Sequence, residues 1–229
     1  MPDIRVIDGS RPDQHTQPLL EQAYRLRHHV FAERLGWVPV SPDGREQDEY
    51  DALPCLHVLQ VDAAERVQGC FRMMTTSGPC LLKDKFAHLA GRSSLPMRVD
   101  AWDISRFAVV QERPQETGLP TVSTVTIALL LAMYRIGRTL GIGDYTCVTD
   151  VHLERLLGRA GLRTQRFAPP RNMGNCQAVA GIAPVTGPVL ARIEARAALL
   201  LPGQTVTISG LETIDRTAFG LGQELPHAA

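Results

Sequence analysis

The chain has 229 residues, of which 44% are hydrophobic and 21% charged, a composition typical of a folded globular protein. A disordered or fibrous chain is therefore excluded. The 24 basic side chains are balanced by 24 acidic ones, so the formal net charge is zero. Proteins dedicated to nucleic-acid binding normally carry a clear basic excess, so no nucleic-acid partner is expected.

The five cysteines are widely spaced and form no C-x-x-C pair, so neither a zinc site nor a disulfide framework is predicted. We expect reduced, mostly buried thiols, as in a cytoplasmic protein. Residues 1–13 are charged and interrupted by prolines, which is not the pattern of a secretory signal. The long uncharged stretch at 117–134 is broken by glycine, proline and hydroxyl residues, so no membrane insertion is expected.

Alternation of apolar and polar residues predicts strands, and an apolar stripe with a period near 3.6 predicts helices. In the first half, the predicted elements are a strand at 3–8, a helix at 18–35, an acidic loop at 39–54, strands at 56–61 and 66–75, and a short helix before residue 90. In the second half, they are strands at 102–110, 145–149 and 177–185, and helices at 121–140, 151–160 and 186–201.

This order predicts an α/β fold, a single domain at 1–202 with one mixed sheet flanked by helices. Residues 203–229 form a tail for which the sequence predicts no structure.

Three sets of charged residues are candidates for a site, and the first two stand at positions where a simple core would be apolar. Arg27 lies on the apolar face of the first predicted helix, three residues after Tyr24 and four before Phe31. A buried arginine needs a carboxylate or a ligand anion, unless its side chain extends to solvent from the rim of the stripe. Asp103 and Arg106 lie within the predicted central strand, where the alternative to a functional role is a structural ion pair.

The third set is the acidic loop, which carries Glu46, Asp48, Glu49 and Asp51 within a short stretch. Loops of this kind are often simply solvated. The functional interpretation is a negatively charged wall that binds a cationic substrate and pairs with buried arginines. Trp37, between Arg27 and the acids, is placed to cover a flat or cationic group of a ligand.

Other patterns do not predict a site. P-loop, H-E-x-x-H and G-x-S-x-G motifs are absent from the sequence. The pattern Arg138-x-x-Gly141-x-Gly143 matches the one with which N-acetyltransferases hold coenzyme A pyrophosphate, but here it closes a helix, so we interpret it as a helix C-cap. The pair His28–His29 lacks metal-ligand spacing and is predicted to lie on the surface. No metal site is expected.

Taken together, the chain resembles the acyl-homoserine lactone synthases, the LuxI-type autoinducer synthases, over roughly residues 24–185. Each motif alone is weak, but they occur in the right order. The matching stretches are Arg25-Leu-Arg27-His-His-Val30-Phe31, Leu35-Gly36-Trp37, Glu46-x-Asp48-x-x-Asp51, Gly69-Cys-Phe-Arg72, Gly78-Pro79 with Leu82 and Phe86, Trp102-x-x-Ser105-Arg106-Phe107-Ala108-Val109, Val148-Thr149 and Glu154-Arg155-Leu156-Leu157 through Gly161.

The resemblance implies an N-acetyltransferase-like fold with a cleft where two strands splay apart. It also implies synthesis of an N-acyl-homoserine lactone from S-adenosylmethionine and an acyl thioester, with release of methylthioadenosine and no cofactor. The residues matching the family's S-adenosylmethionine site are Arg27, Phe31, Trp37, Asp48, Asp51, Arg72 and Arg106. At Asp103 the family usually has glutamate.

In this reaction the substrate amine must lose a proton, and Asp103 or Asp48 could accept it. Arg106 is the third catalytic candidate, since with Arg27 it would fix the acids in place. A backbone N–H after Phe107 would stabilise the oxyanion. The expected acyl pocket residues are Phe107, Met133, Cys147 and Thr149.

Two other functions stay open: an N-acetyltransferase-like enzyme that uses acyl-CoA on another amine, and a non-catalytic ligand-binding module. The thioester carrier is also open between coenzyme A and an acidic acyl carrier protein. Arg155, Arg159 and Arg163 could form a basic docking face for such a protein, with Lys83 and Lys85 across the cleft.

Overall fold

The protein is described by a computed structural model that covers residues 1–110 and 122–222. Its strands are β1 (Asp3–Asp8), β2 (Leu56–Val61), β3 (Val67–Thr75), β4 (Ala101–Val109), β5 (Asp144–Asp150), β6 (Gln165–Arg166), β7 (Arg171–Met173), β8 (Cys176–Pro184) and β9 (Thr207–Ser209). Its α-helices are α1 (Gln17–Arg27), α2 (Leu81–Asp84), α3 (Thr124–Leu140), α4 (Val151–Arg159) and α5 (Gly187–Leu200). Within these residues no helix is both long and apolar enough to cross a membrane.

All these strands belong to one mixed sheet, ordered β6-β8-β5-β4-β3-β2-β1-β9, with β7 paired to β8. Helix α3 packs on one face, where its apolar side chains share a core with Trp102 and Ile104. Helix α1 packs on the other face, against Leu59 and Cys70. The predicted α/β fold, a single mixed sheet flanked by helices, is confirmed.

The boundaries of most predicted elements are within a few residues of those observed. The first helix differs, because α1 ends at Arg27 and the chain continues as a π-helix over His28–Arg34. The predicted helix at 121–140 begins at Thr124, and its first predicted residue lies outside the described residues. Strands β6, β7 and β9 were not predicted, because two or three residues are too few to show a periodicity.

The tail is part of the same sheet for as far as it is described. Strand β9 pairs in parallel with β1. Beyond it, the Phe219 ring stacks on Trp102 with centroids 5.3 Å apart, and both rings are buried. Residues 223–229, the last part of the predicted tail, lie outside the described residues.

Two irregularities in β4 create the cleft. Parallel pairing with β5 runs from Ala101 to Ile104 and then ends within the described sheet, although both strands continue. On the β3 side the register shifts, so that Arg106 and Phe107 together face one residue of β3, which is a β-bulge. Arg106 has a left-handed φ of 57° there. The predicted splayed-strand cleft is confirmed.

Candidate active site

Beside the cleft, buried arginines and carboxylates form a connected network. Arg27 donates two parallel hydrogen bonds to Asp51, at 2.8 and 2.9 Å, and a third from Nε to Glu46 at 2.6 Å. Its side chain is 1% exposed. The paired geometry is the strongest form of arginine–carboxylate contact, so the arginine predicted on the apolar face has its counter-charges inside the protein.

Arg72 and Arg106 extend the network across β3 and β4. Arg72 binds both Asp48 and Asp51 through its guanidinium, while its Nε donates to Ser105 at 3.2 Å. Arg106 binds Glu46 at 2.7 Å and Asp48 at 2.8 Å. The network therefore contains three arginines, Arg27, Arg72 and Arg106, and three carboxylates, Glu46, Asp48 and Asp51. The six formal charges cancel, which offsets the cost of burying them.

The acidic loop folds so that its carboxylates point inward. Asp48 caps a short 3-10 turn by accepting from Tyr50 N–H at 3.0 Å, and Asp51 accepts from Asp48 N–H at 2.8 Å. This reciprocal capping fixes both carboxylates in one orientation. Glu49 points away and pairs with Lys85 on the surface at 2.7 Å. The loop is thus a charged wall in which Glu49 takes no part.

Cations determine the ionisation of these buried acids. Burial alone would raise the pKa of Asp51, but Arg27 and Arg72 outweigh it and hold that pKa far below its usual value. Burial likewise opposes ionisation of Glu46, and Arg27 and Arg106 lower its pKa. Both carboxyls are ionised at neutral pH, so they serve as fixed negative charges.

A Cys-His-Asp contact behind the network looks catalytic but is inert. His57 Nε2 lies 3.5 Å from an Asp51 oxygen and 3.6 Å from Cys55 Sγ. All three side chains are buried. Burial is the main cause that lowers the pKa of His57 to about 3 and raises that of Cys55 to about 12. A neutral imidazole beside a protonated, inaccessible thiol has no nucleophilic role.

Asp103 lies in a different environment, although it is equally buried. Its carboxyl accepts from Leu82 N–H at 3.3 Å and from the Thr146 hydroxyl at 3.0 Å. Both donors are neutral. Burial therefore dominates and raises the pKa of Asp103 to about 6. A carboxyl of this kind can hold or release a proton near neutral pH.

Between the splayed strands opens a cavity of about 880 Å³, a volume that includes the open solvent at its mouth. Eight of the predicted site residues line it, which places the candidate substrate and acyl residues around one space. They are Phe31, Trp37, Asp103, Arg106, Phe107, Met133, Cys147 and Thr149. The other predicted residues, Arg27, Asp48, Asp51 and Arg72, lie in the network beside the cavity.

An aromatic wall, formed by Phe31, Trp37 and Phe86, faces one side of the cavity. The Trp37 ring lies 6.0 Å from Phe31 and 6.3 Å from Phe86 between centroids. The guanidinium of Arg106 lies 5.3 Å from the centre of the Phe31 ring. The Trp37 indole N–H donates to Cys176 Sγ at 3.3 Å. Phe31 therefore contacts both the charged network, through Arg106, and the cavity.

A family model described as autoinducer synthase matches residues 13–193. The chain belongs to the autoinducer synthase family. It is thus an enzyme of the acyl-homoserine-lactone synthase type, as its motifs predicted. It is 34% identical over 175 residues to an acyl-homoserine-lactone synthase of Rhizobium radiobacter, covering 76% of this chain and 82% of that one.

Solved synthases share the fold. The AHL synthase LasI superposes with a TM-score of 0.73 at 30% identity, covering 84% of this chain and 94% of LasI. The CoA-dependent acyl-homoserine lactone synthase BjaI, solved with SAM and isopentyl-CoA, superposes with a TM-score of 0.75 at 25% identity, covering 92% of this chain and 94% of BjaI.

Some residues of the candidate site were not predicted from the sequence. Glu46 was recognised as one acid among four but not as the partner of Arg27 and Arg106. Thr146 pairs directly with Asp103 across β4 and β5. Its hydroxyl in a predicted buried strand is the feature of the sequence that could have indicated this contact. The Leu82 N–H that binds Asp103 left no signal, because a backbone donor is the same at every residue except proline.

The prediction for the histidine pair was half wrong. His29 is exposed, but His28 is buried and its Nε2 accepts from Ser41 N–H at 3.1 Å. The turn of the chain around Gly36 brings Ser41 back over the helix.

The interpretation of Gly141 as a C-cap is confirmed, since it ends α3 with a φ of 72°. The five cysteines are all free thiols, three of them buried.

Proposed function

We propose that this synthase makes an N-acyl-homoserine lactone from S-adenosylmethionine and an acyl thioester, releasing methylthioadenosine. The observation that carries the proposal is a single cleft whose two sides differ. The aromatic wall and the charged network lie on one side and an apolar pocket on the other, and Asp103 is in the lining. A relative with this fold, BjaI, was solved with SAM and isopentyl-CoA.

The cationic substrate belongs on the side of the aromatic wall. Phe31 and Trp37 offer aromatic faces to a sulfonium and an adenine ring. Among the network acids Asp48 is the most exposed, with 12% of its side chain accessible. We assign contact with the substrate to Asp48, while Arg27, Asp51 and Arg72, which are almost completely buried, hold Asp48 and Glu46 in place.

Asp103 is the base in this proposal. Its raised pKa lets it take a proton from the substrate amine, directly or through water. Both oxygens of Asp48 already accept hydrogen bonds from Arg72 and Arg106, so Asp48 is the weaker candidate. The amine then attacks the thioester carbonyl, and a backbone N–H of β4 near Phe107 stabilises the oxyanion.

The remaining steps occur within the bound intermediate. The thiol leaves as the amide forms. The carboxylate of the methionine portion then bonds to its γ-carbon, the carbon–sulfur bond breaks, and its electron pair goes to the sulfonium, which departs as methylthioadenosine. Since acyl transfer and this displacement use only the two substrates, we propose that no metal or redox cofactor takes part.

The acyl chain belongs in the part of the cavity between β5 and α3. Phe107, Met133 and Cys147 line it, together with Leu130, Leu153 and Leu157. These side chains give an apolar tube with little hydrogen-bonding capacity, which suits an alkyl chain. Thr149 lies at the polar end, where its hydroxyl donates to Asp150 O at 3.3 Å.

We also propose an acyl carrier protein as donor and the cytoplasm as the place of action. Arg155, Arg159 and Arg163 are exposed on α4 and just beyond its end, which supports a basic docking face. The two lysines contribute less than expected, because Lys85 pairs with Glu49 and Lys83 donates to Gly78 O. The free thiols are typical of a reducing compartment.

The test is incubation of purified protein with S-adenosylmethionine and acyl thioesters of graded chain length, on coenzyme A or on acyl carrier protein. We expect methylthioadenosine, free thiol and lactone in equal amounts. An N-acetyltransferase acting on another amine would release thiol from acyl-CoA without methylthioadenosine. A binding module would release neither, and either result would overturn the proposal.

A further inference from the structure

The tip of the β7–β8 hairpin contacts the end of the π-helix that carries Phe31. Because Met173 pairs with Cys176, the hairpin turns on Gly174 and Asn175 alone. Asn175 donates through its backbone N–H to Leu35 O at 2.8 Å, and through its side-chain amide to Arg34 O at 3.2 Å. The last carbonyls of a helix have no partners within it. The hairpin supplies those donors from the far side of the cleft.

The approach is so close that glycine is required at the turn. Gly174 has a φ of 55°, and a Cβ there would lie 2.2 Å from Leu35 O and 2.6 Å from Gly36 O. Any side chain would therefore push the hairpin away from the helix end. The close contact between the hairpin and the helix end therefore depends on glycine at position 174.

The hairpin also holds the tryptophan of the aromatic wall. Cys176, the first residue after the turn, accepts the indole N–H of Trp37 at 3.3 Å. Leu35 and Trp37 line the cavity, whereas the hairpin residues 171–176 are not among the described residues that line it. Within the described part of the chain, the hairpin can therefore influence a ligand in this cavity only through the residues that it holds.

We propose that the Gly174–Asn175 turn positions the aromatic wall and thereby sets the affinity for the cationic substrate, with Asn175 as a positioning residue. The inference rests on the proposed function, since it takes the wall to be the S-adenosylmethionine side. Helix α1 and its π-helical end pack on the β1–β4 side, while β8 pairs with β5. The turn thus fixes the distance between the two sides of the cleft at the wall and leaves the acyl pocket unchanged.

The experiment compares Gly174→Ala with Gly203→Ala. Both glycines have a positive φ, 55° and 69°, but a Cβ at Gly203 would meet nothing within 4 Å. The control therefore has the same backbone cost without displacing the hairpin. Calorimetry with S-adenosylmethionine alone should show binding to Gly174→Ala weakened about tenfold. Its KM for S-adenosylmethionine should rise in parallel, while kcat and the KM for the acyl thioester stay within about twofold.

Asn175→Ala keeps the glycine turn and removes one hydrogen bond, so it tests the proposal even if Gly174→Ala does not fold. We expect S-adenosylmethionine to bind about threefold more weakly. Folded variants with unchanged affinity would overturn the proposal, and so would an equal rise of both KM values, which marks a general structural effect. Failure of the proposed function looks different, because the wild type would then release no methylthioadenosine.

Discussion

Asp51 and Asp103 are both buried carboxyls beside the same cleft, yet their pKa values are displaced in opposite directions. Asp51 faces Arg27 and Arg72, which overcome the effect of burial and keep its pKa far below the usual range. Among the described residues, Asp103 meets only an amide N–H and a hydroxyl at hydrogen-bonding distance. Burial then dominates and raises its pKa to about 6.

The difference shows that the charge of the partner, not the degree of burial, determines whether the pKa of a buried acid falls or rises. With two guanidinium partners a carboxylate is a permanent anion that holds structure and field in place. With neutral donors a carboxyl can exchange a proton at physiological pH. The proposed function accordingly assigns binding to the network and proton transfer to Asp103.

Among the substitutions considered, Arg27→Ala should have the largest effect, because it removes a buried cation of the network. Asp51 and Glu46 would be left without their shared cation in a buried site, at a cost of about 3–5 kcal/mol. We expect loss of lactone synthesis and a large fall in the denaturant midpoint. Arg25→Ala is the matched control, since Arg25 is 66% exposed and pairs only with Glu21 at the surface among the contacts described. If Arg27→Ala matched that control in stability and turnover, the network would have no such role.

Asp103→Asn should remove the proton acceptor and lower kcat by about 10²–10⁴. Asn can keep both hydrogen bonds, since its oxygen accepts from Leu82 N–H and its amide donates to Thr146. Asp103→Glu restores the residue usual in the family, and we expect activity within about tenfold of wild type. Circular dichroism and methylthioadenosine release on the same preparations check both. A Glu variant as inactive as the Asn variant would contradict the assignment.

The same Asn variant should be more stable than the wild type at pH 7. A carboxyl whose pKa is raised on folding contributes stability below its unfolded pKa of 3.8 and loses it as pH rises through about 6. Above pH 6 the wild type holds an unfavourable buried charge that Asn lacks. We expect a gain of up to about 3 kcal/mol for Asp103→Asn, shrinking as pH falls toward 4. Urea unfolding from pH 4 to 8 measures this, and a pH-independent difference would argue against a displaced pKa.

The smallest effect concerns the docking face, away from both acids. Reversing the charge of Arg155 and Arg159 to Glu should lower kcat/KM about tenfold with an acyl carrier protein donor, while kcat changes little. Raising salt from about 0.05 to 0.3 M should weaken the wild type similarly, since screening lengths then fall below about 10 Å. Efficient turnover of acyl-CoA with no response to either change would contradict carrier-protein docking.

Much of the fold was predictable because long amphipathic elements have a clear period. The place where β4 and β5 stop pairing and the bulge at Arg106 beside it were not, since alternation of apolar and polar residues reveals neither. The charged residues of the site stood out because Arg27, Asp103 and Arg106 interrupt apolar segments. The choice of Glu46 over Glu49 as a network acid was hidden, because it follows from the path of the loop.

The pH dependence of kcat/KM, measured for the wild type and for Asp103→Asn, tests the division of roles most directly. We expect the wild-type rate to fall as pH drops through about 6, because protonated Asp103 cannot accept the amine proton. Asp103→Asn should lose both the rate and this inflection. Near-normal turnover of the Asn variant, with the inflection unmoved, would show that another group is the base.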